Sequence, residues 1–207
     1  MFTKLLAYEI RSRYRADARS FGAFIAVIAI AAGIVAAGLP GISGSTAVLA
    51  YALCALTPAA CAIAALADYW KTLYGQRGYF TMSLPISGKV IFWAKNTRIA
   101  IECLLALALA VGGMLAVASA AAWSDGISLA EYTAGPRSLV AGVPTSTVSL
   151  MIAAQLILAM SWVVQACAAM TIGAEGRFNH LGFGAPIIGF VLVYVVNQVL
   201  STVGTFF

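Results

Sequence analysis

One histidine, four cysteines and seven carboxylates are the whole stock of catalytic and metal-binding side chains in this chain. His180 stands beside Arg177 and Asn179 with no second histidine and no carboxylate sequence-adjacent to form a ligand set, and reads as an interfacial residue. Cys54, Cys61, Cys103 and Cys167 lie in apolar surroundings and form no C-x-x-C pair, the pattern of small packing residues rather than of a metal site or disulfide framework. No H-E-x-x-H, G-x-S-x-G or paired-glutamate motif is present, so the residues for an enzyme active site cannot be assembled and no metal site is expected. Ser87-Gly88-Lys89 looks like the end of a phosphate-binding loop, but Ser83 replaces the opening glycine and Val90 the closing Ser or Thr. Arg98 and Glu102, four apart, share a helix face and are expected to form a structural ion pair at the inner membrane edge, with Asp68 nearby. A proton relay is the other reading of that pair.

The elements that carry these residues follow from composition. Of the 207 residues 62% are hydrophobic and only 9% charged, far below the charge content of a soluble domain. The apolar residues gather into five blocks, 21–39, 46–67, 99–123, 148–174 and 181–207, each long enough to cross a hydrocarbon core as a helix. Four contain no charge, and the exception is the third, which holds Glu102. Lipid leaves no hydrogen-bond partner for an open strand, so the predicted fold is an all-α polytopic transmembrane bundle, one domain over 1–207. The first block follows a charged leader and is read as an uncleaved span.

Orientation follows from the twelve Lys and Arg. Lys4, Arg11, Arg13, Arg15 and Arg19 precede the first block, Lys71, Arg77, Lys89, Lys95 and Arg98 follow the second, and Arg177 follows the fourth, eleven in all. Only Arg137 falls on the other side, so the N-terminus is placed in the cytoplasm. The net charge of +5 then speaks of topology and anionic lipid headgroups, not of nucleic acid. Residues 1–20 alternate basic residues with Phe2, Leu5, Leu6, Ile10 and Tyr14 and are read as an amphipathic helix lying in the interface. Segment 124–147 is extracytoplasmic, with a capping box at Ser128–Glu131 that predicts a short helix on the outer face. Gln155, Ser161, Gln165, Asn197 and Gln198 are polar residues within spans and are expected to face the bundle interior, as interhelical hydrogen bonds or as the lining of a substrate path. Pro58 is expected to kink the second span.

The loop 68–98 is both basic and aromatic. Gly75 and Gly78 interrupt the second helix, Pro85 ends an apolar stretch, and Ser87 is placed to cap the helix that enters the third span. Tyr79, Phe80, Met82 and Leu84 stand on the cytoplasmic side, where they must rest on the membrane or fill a groove in another protein. The run Tyr74-Gly75-Gln76-Arg77-Gly78-Tyr79-Phe80-Thr81-Met82-Ser83-Leu84-Pro85-Ile86-Ser87, with Lys95 beyond it, resembles the signature between the second and third spans of bacterial type-2 ATP-binding-cassette (ABC) transporter permeases, usually close to Y-G-K-E-G-Y-L-T-L-x-L-P-V-S. The order of elements along the chain agrees with that family.

The resemblance implies a permease subunit, an exporter in the bacterial inner membrane, that pairs with a second permease subunit, a copy or a paralogue. A separate cytoplasmic ABC ATPase would hold ATP and Mg and dock on Gly78, Tyr79, Phe80, Thr81, Met82, Ser83, Leu84, Pro85, Ile86 and Ser87. No cofactor is implied in this chain. Arg77 stands where the family commonly has an acidic residue, and five spans are read where the family has six, so either the fifth block finishes the protein or a further span lies past residue 207. Two other readings stay open: the substrate-capturing membrane component of a vitamin-type importer, and a non-transporting accessory subunit.

Overall fold

The computed structural model describes residues 1–75, 78, 83, 85–174 and 184–206. Among them there are only helices: α1 Phe2–Ala36, α2 Ser43–Leu73, α3 Gly88–Ser124, α4 Leu129–Tyr132, α5 Ala134–Ser138, α6 Thr145–Gly173 and α7 Gly184–Phe206. The five long ones, α1, α2, α3, α6 and α7, are apolar enough to cross a membrane. Each matches one of the expected blocks. The protein is an all-α, multi-pass membrane protein.

Local chemistry sets the ends. Gly38 takes a φ of 61°, a left-handed turn that a side chain would resist, and with Pro40 it stops α1. At the start of α4 the Ser128 side chain accepts the Glu131 amide, as the capping box requires. Ser87 occupies the N-cap of α3 with extended backbone, but its side chain makes no capping bond, contrary to the expectation. Pro58 sits inside a continuous α2 and does not divide it, and the adjacent Thr57 hydroxyl donates to the Leu53 carbonyl at 2.7 Å.

The leader departs from its expected form. Instead of a separate helix lying along the membrane, residues 2–20 continue into the first span as one 35-residue helix, about 52 Å long at 1.5 Å per residue. Its inward face carries Leu5, Glu9, Arg13 and Asp17, while Ile10 and Tyr14 are exposed. Charge pairing holds it against α2 and α3.

The body is the packed trio α1, α2 and α3, with α6 against α2 and α3, and α7 packed chiefly on α6. Helix α3 is the centre, and most of the buried residues belong to it. Toward the basic end the core joins Tyr69 and Leu73 of α2, Ile91 and Ile99 of α3, and Val163 and Cys167 of α6. Further along, Ile28, Ala50, Cys54 and Val117 pack together. The cysteines are free and, Cys61 apart, buried, as packing residues should be. A Cβ added at Gly33 or Gly112 would meet nothing within 4 Å, whereas at Gly113 it would lie 2.8 Å from Cys54 Sγ, so the helices approach closely there.

Candidate functional site

Three helices bring charged stripes to one place. Glu9, Arg13 and Asp17 are spaced by four along α1, Asp68 and Thr72 by four along α2, and Lys95, Arg98 and Glu102 by three and four along α3, so each set lies on one helix face. Arg98 is the hub. Its Nη2 donates to Asp68 Oδ2 at 3.0 Å, its Nη1 to Glu102 Oε1, and its Nε lies 3.8 Å from Glu9 Oε2. Lys95 Nζ lies 3.0 Å from Glu9 Oε1 and donates to Thr72 Oγ1 at 3.0 Å. Arg13 Nη1 donates to Asp68 Oδ1 at 2.7 Å, and its Nε lies 3.6 Å from Asp17 Oδ1.

The two cations of α3 are withdrawn from solvent, Arg98 at 1% exposed and Lys95 at 2%, while Arg13 and Asp17 at the edge of the network stay partly open. Burying a charge costs several kcal/mol unless it is paired and hydrogen-bonded, so the stripes must stay in register once the helices pack. A slide of α3 along α1 or α2 would separate several pairs at once. The network therefore works as a clamp at the root of the third span. Among the described residues no three His, Cys, Asp or Glu side chains converge as a metal site needs.

Two cavities border the clamp on either side of α1. One, of about 300 Å³, is lined by Arg13, Asp17, Ser20, Phe21, Phe24 and Thr57 together with Ala60, Cys61 and Glu102. The other, of about 170 Å³, is lined by Tyr14, Asp17, Phe21, Arg98, Glu102 and Leu105 among others.

The expected Arg98–Glu102 pair is present, with Asp68 joined to it. Glu9, Arg13, Asp17 and Lys95 were not expected in it, since the leader reads as an interfacial helix and Lys95 as part of the basic loop. The available signal was the alternation of sign at spacing four in Glu9, Arg13 and Asp17.

Of the 78–87 segment, Tyr79, Phe80, Thr81, Met82 and Leu84 lie outside the described residues. Gly78 donates its amide to the Gly75 carbonyl at 2.8 Å. A Cβ at Gly78 would collide with the Leu73 carbonyl, and one at Gly75 would lie 2.6 Å from the Lys71 carbonyl, so this tight exit from α2 needs glycine at both positions. Ser83, Pro85 and Ser87 are exposed. Ile86 packs on the core with Tyr74 and Phe92, tying the end of the segment to α2 and α3. The Tyr74 ring lies 5.2 Å from that of Trp70, and burial pushes its phenol up, so it stays neutral there.

The polar span residues divide. Asn197 Nδ2 donates to Gln165 Oε1 at 2.6 Å, joining α7 to α6. Ser161 donates to the Leu158 carbonyl of its own helix. Gln155 and Gln198 do not face the bundle interior, as expected, but are exposed on the outer faces of α6 and α7. Helix α7 packs along one side of α6 and leaves Gln155 uncovered. The cavity between α2, α3 and α6, about 210 Å³, is walled by Pro58, Cys103, Leu104, Leu156 and Met160 among others, and by none of these five.

No known protein family, curated protein or solved structure matches the chain.

Proposed function

We propose that this chain is the membrane-spanning permease subunit of a bacterial ABC transporter, an exporter of the cytoplasmic membrane driven by a separate ATPase that docks on residues 78–87. What supports the reading is the continuity between that segment and the clamp. The segment ends at Ser87, where α3 begins as one unbroken 37-residue helix. Seven residues into α3 stands Lys95, and ten residues in stands Arg98, each paired to α1 or α2. A push delivered at 78–87 enters a rod whose root is locked to two other spans, so it moves the trio as a body rather than bending one helix.

ATP and Mg belong to the ATPase partner, and this chain supplies the transmission and the path. ATP-driven closure of two nucleotide-binding subunits requires two such levers, hence a second permease subunit, a copy or a paralogue. Membrane lipid surrounds the exposed apolar faces of α6 and α7.

Affinity purification from native membranes tests the reading. The unsubstituted chain should bring down a nucleotide-binding subunit, and Tyr79→Asp or Leu84→Asp should lose it while the chain still inserts, because a carboxylate cannot be desolvated in an apolar groove. A normal complex with both substitutions would refute the docking role.

A further inference from the structure

We infer that the cavity between α1 and α2 is a binding site for a small organic cation with an apolar body. At about 300 Å³ it stands at the lower end of the range that holds small-molecule ligands, about 300–1,000 Å³. Its walls are of two kinds. Phe21, Phe24, Ala60, Ala64 and Ala65 supply apolar surface, and Asp17, Glu102 and Arg13 supply charge.

Charge decides the sign of the ligand. Around the clamp the acidic groups are Glu9, Asp17, Asp68 and Glu102 and the cations Arg13, Lys95 and Arg98. Lys95 is taken by Glu9, and Arg98 by Asp68 and Glu102. Arg13 is shared, at 2.7 Å from Asp68 and only 3.6 Å from Asp17. Asp17 is thus the least neutralised carboxylate of the set, and it lines the cavity. A carboxylate held at a membrane edge with half a partner is stabilised by any cation that reaches it.

The apolar surface decides the rest. A bare metal ion needs several ligands in a shell, and among the described residues no three His, Cys, Asp or Glu side chains converge to supply one. An ammonium group can instead rest against Asp17 with its methyl or methylene groups on the faces of Phe21 and Phe24, where aromatic rings attract cations. The ligand class is a small aromatic or alkyl ammonium. The site lies wholly within this chain and does not depend on the ATPase reading.

Equilibrium binding of radiolabelled benzyltrimethylammonium to the purified full chain in phosphatidylcholine nanodiscs tests it, with empty discs subtracted. The expected result is saturable binding at one site per chain, undisturbed by neopentylbenzene, which has the same shape without the charge. Asp17→Asn should weaken the affinity at least tenfold, and Phe21→Ala, which leaves every charge in place, at least threefold. Should Asp17→Asn elute as aggregate, Phe21→Ala decides. Binding no greater than in empty discs, equal displacement by neopentylbenzene, or unchanged affinity in a well-folded variant would overturn the inference.

Discussion

Replacing Arg98 by methionine removes the hub of the clamp while keeping most of its length. After the change Lys95 still holds Glu9 and Arg13 still holds Asp68, so the group stripped of its cation is Glu102, whose side chain is 10% exposed. Removing one partner from a buried pair costs about 3–5 kcal/mol, because the other charge stays behind without compensation. One stripped carboxylate therefore sets the expected loss at about 3–5 kcal/mol. Glu102→Gln alone leaves Arg98 its bond to Asp68 and should cost less, about 1–3 kcal/mol. The double variant lacks both charges and should be more stable than Arg98→Met by itself. Equilibrium unfolding in mixed detergent and denaturing micelles, followed by tryptophan fluorescence, gives all three values. An unchanged midpoint for Arg98→Met, or losses that simply add in the double variant, would refute the clamp.

Two further outcomes follow from packing. Gly113→Val should lower stability by about 1–3 kcal/mol because its side chain enters the contact with Cys54, Ile28 and Phe24, whereas Gly112→Val, facing open space, should stay within about 0.5 kcal/mol of the parent by the same unfolding measurement. Gln165→Leu should loosen α7 from α6 at a cost of about 0.6–2 kcal/mol by breaking the bond to Asn197, while Gln198→Leu, on an exposed face, should cost nothing measurable.

The spans were legible because bilayer thickness imposes its length on the sequence, and all five long helices fall on the five apolar blocks. The Arg98–Glu102 pair was legible because spacing within one helix fixes a neighbour. The leader's fate was not. An amphipathic pattern shows which residues share a face, and Ile10 and Tyr14 do, but not whether the apolar or the charged face turns to the protein. That choice was made by Asp68 and Lys95, distant in sequence, which offered Arg13 and Glu9 their partners. Gln155 and Gln198 show the same limit: the cost of polar groups in lipid predicts that they find partners, not that the partners lie in the same chain. Of the adjacent Gly112 and Gly113 only Gly113 marks a close contact, because the rotation of α3 is fixed by packing against α1 and α2.

The transmission claim is met most directly by a photo-crosslinking side chain placed at position 84 and activated in intact cells. One dominant adduct is expected, a nucleotide-binding protein of the cytosol, lost when Tyr79→Asp is introduced alongside. Adducts to lipid alone, or to proteins of the opposite face of the membrane, would contradict it.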